Sequence, residues 1–106
     1  MNVVFLGDNK FEIVDETMPK LDKIWEFNIY DNAIFQLNGK YGVVNRWGKC
    51  ICEAIYDKIW FVNNGCIVCL ISGNTYYIFD SDGYIIKNSK FCSHEEAKMY
   101  ANFFVN

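Results

Sequence analysis

The first residues that could do chemistry are four thiols. Cys50-x-Cys52 and Cys66-x-x-Cys69 supply the number of sulfurs a tetrahedral zinc site takes. Asp80-Ser81-Asp82-Gly83 opens as a calcium loop does. Ser93-His94 sets a hydroxyl beside the chain's one imidazole, the raw material of a nucleophile and its base. Asp22 and Asp57 offer a pair of carboxylates for general acid–base work. Arg46-Trp47 unites two residue types enriched where proteins grip one another. Which of these chemistries is real depends on the elements that hold the residues.

Those elements repeat. Leu21-Asp22-Lys23-Ile24-Trp25 returns as Tyr56-Asp57-Lys58-Ile59-Trp60, an offset of 35 residues. At the same offset Tyr41 falls on Tyr76, Val43 on Ile78, Asn45 on Asp80, Gly48 on Gly83 and Tyr56 on Phe91. At an offset of 30, Asn2–Phe5 aligns with Asn32–Phe35, and Lys10–Asp15 with Lys40–Asn45. A period of this length marks a repeat architecture. We read three units, residues 2–30, 32–65 and 66–91, the first abridged and the last giving way to a different C-terminal segment. End units are atypical because they must close the core against water.

Each full unit reads as a three-stranded meander followed by the aromatic-Asp-Lys-Ile-Trp crossing segment. Ala33–Leu37 and Tyr41–Asn45 flank Asn38-Gly39, a hairpin signal because both residues tolerate positive φ. Gly48 and Gly83 coincide in the repeat, as expected of a left-handed turn exit. Ser93-x-x-Glu96 is a capping box. Ala97, Tyr100, Ala101 and Phe104 then share one helical face, which predicts a helix over 94–104 covering the open edge or end of the last unit. The expected fold is mainly β: eight or nine antiparallel strands in three stacked units, with one C-terminal helix.

Against this frame most of the chemistry recedes. Cys50 is equivalent to Ile85 and Cys69 to Ile34, so the thiols occupy ordinary apolar slots, and the strand residues Ile67-Val68 replace a knuckle turn. The bidentate position of a calcium loop would fall on Phe91. Ser93 is a cap, and no third group orients His94. Asp22 and Asp57 are repeat-equivalent, whereas an acid–base pair needs two unlike environments, so they read as turn-fixing residues. Trp25 and Trp60 are equivalent too, and read as packing between neighbouring units. The expectation is a chain that is not an enzyme and takes no metal and no cofactor.

Composition sets wide bounds. The 106 residues are 52% hydrophobic with a net charge of −3, which suits one domain with a modest core. Without a basic stripe, nucleic acid is not an expected partner. No run approaches a membrane span, and Met1–Asp8 has no secretion-signal pattern. Five cysteines, an odd number, suggest reduced thiols and a cytoplasmic setting.

Gly39-Lys40-Tyr41-Gly42-Val43-Val44-Asn45-Arg46-Trp47-Gly48-Lys49, followed by Tyr56-Asp57, resembles the WG repeat, a bacterial β-rich repeat named for its Trp–Gly pair. The likeness covers residues 32–91 well and 2–31 loosely; the third unit carries Tyr77 at the strand-Gly position and Asp82 at that of Trp47. Gly73–Gly83 is also similar to the aromatic hairpins of choline- or glucan-binding cell-wall repeats, which are shorter. The WG resemblance implies a non-catalytic interaction module, an immunity-type inhibitor of a toxin or a regulatory adaptor. The alternative is a carbohydrate or small-ligand binder using exposed aromatics. The expected binding residues are Arg46, Trp47, Asp80 and Asp82 on equivalent turns, and the expected partner is a protein with a basic surface; the oligomeric state is left open.

Overall fold

A computed structural model describes residues 3–7 and 10–13 as strand backbone and residues 21–103 in full. The described chain is mainly β. Strands β1 (Val3–Gly7) and β2 (Lys10–Ile13) form a hairpin. Strands β3 (Lys23–Ile24), β4 (Asn32–Leu37), β5 (Lys40–Asn45) and β6 (Cys50–Tyr56) form an antiparallel sheet in sequential order. Strands β7 (Lys58–Phe61), β8 (Ile67–Ser72), β9 (Thr75–Phe79) and β10 (Ile85–Lys90) form a second sheet of the same order, and helix α1 (His94–Asn102) follows. The chain divides into two compact units, Met1–Ile55 and Tyr56–Asn106.

The repeat is real, but its frame differs from the one expected. The Asp-Lys-Ile-Trp segment does not trail a three-stranded meander. It leads a four-stranded one, because Lys23 and Ile24 pair with Gln36 and Phe35, and Lys58–Phe61 pair with Ile67–Leu70. The described residues therefore hold ten strands, in two four-stranded sheets and one hairpin, rather than eight or nine in three like units. The abridged first unit survives as the β1–β2 hairpin, which matches β4–β5 at the offset of 30.

The sheets also slip against the sequence period. In the first sheet Phe35 faces Gly42 and Gln36 faces Tyr41. In the second Cys69 faces Tyr77 and Leu70 faces Tyr76. Cys69 therefore stands in the place of Phe35, one residue away from the Ile34 equivalence that the 35 period suggests. Two single-residue changes cancel: the first unit carries Glu26 between its Trp and Phe, and the second carries Ile71 as a bulge between Leu70 and Ser72. The slip exchanges volume across the ladder. Phe35 lies over the bare Gly42, whereas the small Cys69 lies beside Tyr77. A Cβ at Gly42 would stand 2.6 Å from the Cys52 carbonyl oxygen and 2.7 Å from the Phe35 ring.

Turns follow local chemistry. Asn38 and Gly39 both take positive φ, 53° and 80°, and close the β4–β5 hairpin. Asp22 fastens this turn through a carboxylate oxygen that accepts the Gly39 amide at 3.1 Å, so it fixes a distant turn rather than its own. Gly48 and Gly83 adopt the left-handed exit, at 91° and 92°.

Burial alternates in part of β4 and in β9, while the central strands β5 and β8 each bury three residues in a row. Ala33, Phe35, Leu37 and Val44 form one core, with Ile24, Phe27 and Cys50 against it. Cys66, Val68, Tyr76 and Ile78 form the other, closed by Ala97 and Ala101 of α1. The helix thus lies on the face of the central strands β8 and β9, not along an open edge, with Ala97 and Ala101, one turn apart, set against Cys66, Val68, Tyr76 and Ile78. Its start is as expected: the Ser93 hydroxyl accepts the Glu96 amide at 3.3 Å. It ends at Asn102, with Phe103 capping it at φ −88°; Phe104 lies outside the described residues. Trp25 and Trp60, expected to pack between units, each meet a tyrosine of their own sheet, Tyr41 at 5.8 Å and Tyr76 at 6.3 Å. That follows from the frame, since each Trp belongs to the first strand of its own sheet. No described helix is long and apolar enough to cross a membrane.

Candidate interaction site

Asn45 sets the turn between β5 and β6. Its side-chain oxygen accepts the amides of Trp47 at 3.0 Å and Lys49 at 2.8 Å. Asp80 does the same in the second unit, taking the amides of Asp82 and Tyr84, both at 3.0 Å. Asp80 is therefore a turn-fixing residue and not a free carboxylate, while Asp82 is exposed. Arg46 and Trp47 belong to the first compact unit, and Asp80 and Asp82 to the second.

Trp47 does not pack against a neighbouring turn; it is 74% exposed. Arg46 joins its turn to the β3–β4 loop. Its Nε donates to Asp31 Oδ1 at 2.9 Å, its backbone amide donates to the Asp31 carbonyl at 2.9 Å, and its guanidinium lies 4.6 Å over the Phe27 ring. The loop is itself preset: Asn28 Oδ1 accepts the amides of Tyr30 and Asn32 at 2.9 and 3.0 Å. Ile29 and Tyr30, beside Asp31, are 87% and 39% exposed. One corner of the first unit thus carries Ile29, Tyr30 and Trp47 about the Arg46–Asp31 pair.

Asp31 sits at φ 65°, where a side chain is strained and glycine is at ease. Its equivalent in the second unit is Gly65, at φ 92°. The whole corner differs in this way. Where the first unit has Ile29-Tyr30-Asp31 and Arg46-Trp47, the second has Asn63-Asn64-Gly65 and Ser81-Asp82, on the same turn scaffold. Asn64 serves the fold, donating to the Ala101 carbonyl at 2.8 Å and accepting the Cys66 amide. Sequence reasoning found Arg46 and Trp47 and missed Phe27, Ile29, Tyr30 and Asp31. For Ile29, Tyr30 and Asp31 the signal was the same loss of equivalence, hidden because these positions match at 34 residues rather than 35; Phe27 matches Phe61 and gave none.

The other candidate chemistries are differently placed. All five cysteines are free thiols, and among the described residues no three metal-ligating side chains converge. Burial pushes the Cys50 thiol up to about 11, with Cys52 and Glu53 adding to the effect. Burial also raises Cys66, helped by Asp80. The exposed Cys92 is raised by its hydrogen bond to the Glu96 carboxylate. The two sheltered thiols, Cys50 and Cys66, are therefore protonated and poorly nucleophilic at neutral pH. His94 stacks flat on Trp60, 4.7 Å between centroids and 8° between planes, and its Nε2 is 3.8 Å from Glu95. A groove of about 380 Å³ runs between α1 and the start of the second sheet, floored by Phe61, Val62 and Met99.

No protein-family model matches the chain, and comparisons with curated proteins and with solved structures found no match either.

Proposed function

We infer that this protein is a non-catalytic protein-binding module and that its contact surface is the Ile29–Tyr30–Arg46–Trp47 corner. One observation carries the reading: two copies of one scaffold differ where the fold has no use for the difference. The turns close identically through Asn45 and Asp80, yet where the first unit exposes Ile29, Tyr30 and Trp47 the second carries Asn63, Asn64 and Asp82, its exposed Tyr84 and Ile85 coming only at the turn exit. Exposed apolar side chains of this size around an oriented arginine match the anchors of protein interfaces. The resemblance to WG repeats, and through it an inhibitor or adaptor role, supports the same class. The chain's net charge of −3 favours a partner of opposite net charge, which speeds encounter more than it tightens binding.

The sugar-binding alternative needs rows of open rings. Trp60 is covered by His94, and Trp25 is flanked by Tyr41 with the Lys23 ammonium 4.8 Å over its ring, so the two repeat-equivalent tryptophans do not form a pair of open platforms. The test is a photo-crosslinking residue at position 47, introduced in the native cell. A discrete protein adduct is expected, absent when the same residue stands at Asn88. With that protein purified, Trp47→Ala should weaken binding by about 2 kcal/mol. Stability should stay within about 0.5 kcal/mol. Binding of glycans in place of proteins, or an unchanged affinity, would overturn the reading.

A further inference from the structure

The corner also carries a constraint on what the partner presents to it. Arg46 is held more firmly than contact with solvent requires. Its Nε is bound to Asp31 Oδ1 at 2.9 Å, its guanidinium lies 4.6 Å over Phe27, and its backbone is tied to the same aspartate. An exposed ion pair of this kind contributes at most about 1 kcal/mol to stability. Yet Asp31 accepts a left-handed backbone to make it, at a position where the second unit uses glycine. What the strain secures is the orientation of a charged fork. Guanidinium has five N–H donors, and Nε supplies one. Among the described residues Asp31 is its only hydrogen-bond partner, so the two terminal nitrogens keep their donors for something else, and the side chain is half exposed.

Resting on the protein-binding reading above, we propose that Arg46 is a preset receptor for a partner carboxylate, an Asp or Glu side chain adjoining an apolar residue that lies against Trp47 and Ile29. Planar guanidinium matches carboxylate geometry, and immobilising it beforehand removes the entropy that a lysine would lose on binding. Asp31 already balances the arginine's charge. The attraction is therefore one of donor geometry at short range, and it coexists with a partner that is basic overall.

The experiment pans a random heptapeptide display library against the immobilised wild-type protein and measures the enriched peptides by fluorescence anisotropy. The expected peptides carry Asp or Glu next to an aliphatic or aromatic residue. Trp47→Ala should abolish their binding, Arg46→Gln should weaken it at least about tenfold, and Arg46→Lys should restore little, since charge without the fork is not enough. Replacing the peptide's acid by its amide should cost wild type the same factor and the Arg46→Gln protein almost nothing, a readout that a folding defect cannot mimic. Peptides that need Trp47 but contain no acid, or that bind Arg46→Gln normally, would overturn the carboxylate assignment and leave the binding corner standing. Peptides insensitive to Trp47 would overturn both.

Discussion

Gly42→Ala is the most demanding test of the slipped register. The added methyl would stand 2.6 Å from the Cys52 carbonyl oxygen, 2.7 Å from Phe35 Cζ and 2.9 Å from Cε1. Neither neighbour can step aside cheaply: one is sheet backbone, and the other is a ring only 1% exposed in the core. Overpacking of this kind costs about 1–3 kcal/mol. Loss of glycine's freedom in the unfolded chain offsets about 0.4–1 kcal/mol where the native backbone accepts alanine. The net loss should be about 1–2 kcal/mol, and each kcal/mol is worth roughly 4–8 °C in Tm for a chain of this size. Phe35→Ala alone should cost about 3–5 kcal/mol through the cavity it leaves. Because the two residues touch, their effects should not add. With the ring gone, the methyl at position 42 fills vacated space, and the double variant should be more stable than the sum of the singles by about 1 kcal/mol or more. Urea unfolding followed by circular dichroism gives all corners of the cycle. A Gly42→Ala midpoint at or above wild type, or a double variant at the additive sum, would refute the Phe35-over-Gly42 pairing.

Three further outcomes are expected. Ellman's reagent at about pH 8 should find one fast thiol, removed by Cys92→Ser, because the other four are partly or fully covered; fast release of two or more would contradict the burial of Cys52, Cys66 and Cys69 and the partial cover of Cys50. Cys50 is held above its ordinary value of 9.0, so folding favours its neutral form; that contribution is whole below pH 9 and is lost as pH rises toward about 11. Cys50→Ala should flatten the corresponding loss of stability in denaturation midpoints measured across that window. Ser93→Ala should cost about 1 kcal/mol by freeing the Glu96 amide. It should also loosen the His94 ring from Trp60, read as a change in tryptophan fluorescence, and an unaltered spectrum and midpoint would show the cap to be dispensable.

What could be read from the residues was local chemistry. The Asn38-Gly39 hairpin, the glycines at 48 and 83 and the Ser93 cap depend on nearest neighbours along the chain, and each took the expected geometry. The mainly β class and the repeat were equally legible, because short apolar runs broken by turn residues and the recurring Asp-Lys-Ile-Trp segment are written in linear order. Arg46 and Trp47 drew attention for their residue types alone. The Glu26 and Ile71 insertions were not legible, since they cancel in the count and appear only as a one-step shift in strand pairing. Whether the Trp-bearing segment closes one sheet or opens the next depends on which carbonyls its amides reach, and both choices fit the same residues. The binding corner is of the same kind. Asp31 lies fifteen residues from Arg46, and the closing of the first sheet brings the two turns together, so the repeat spacing could flag the residues of each turn but not that they form one surface.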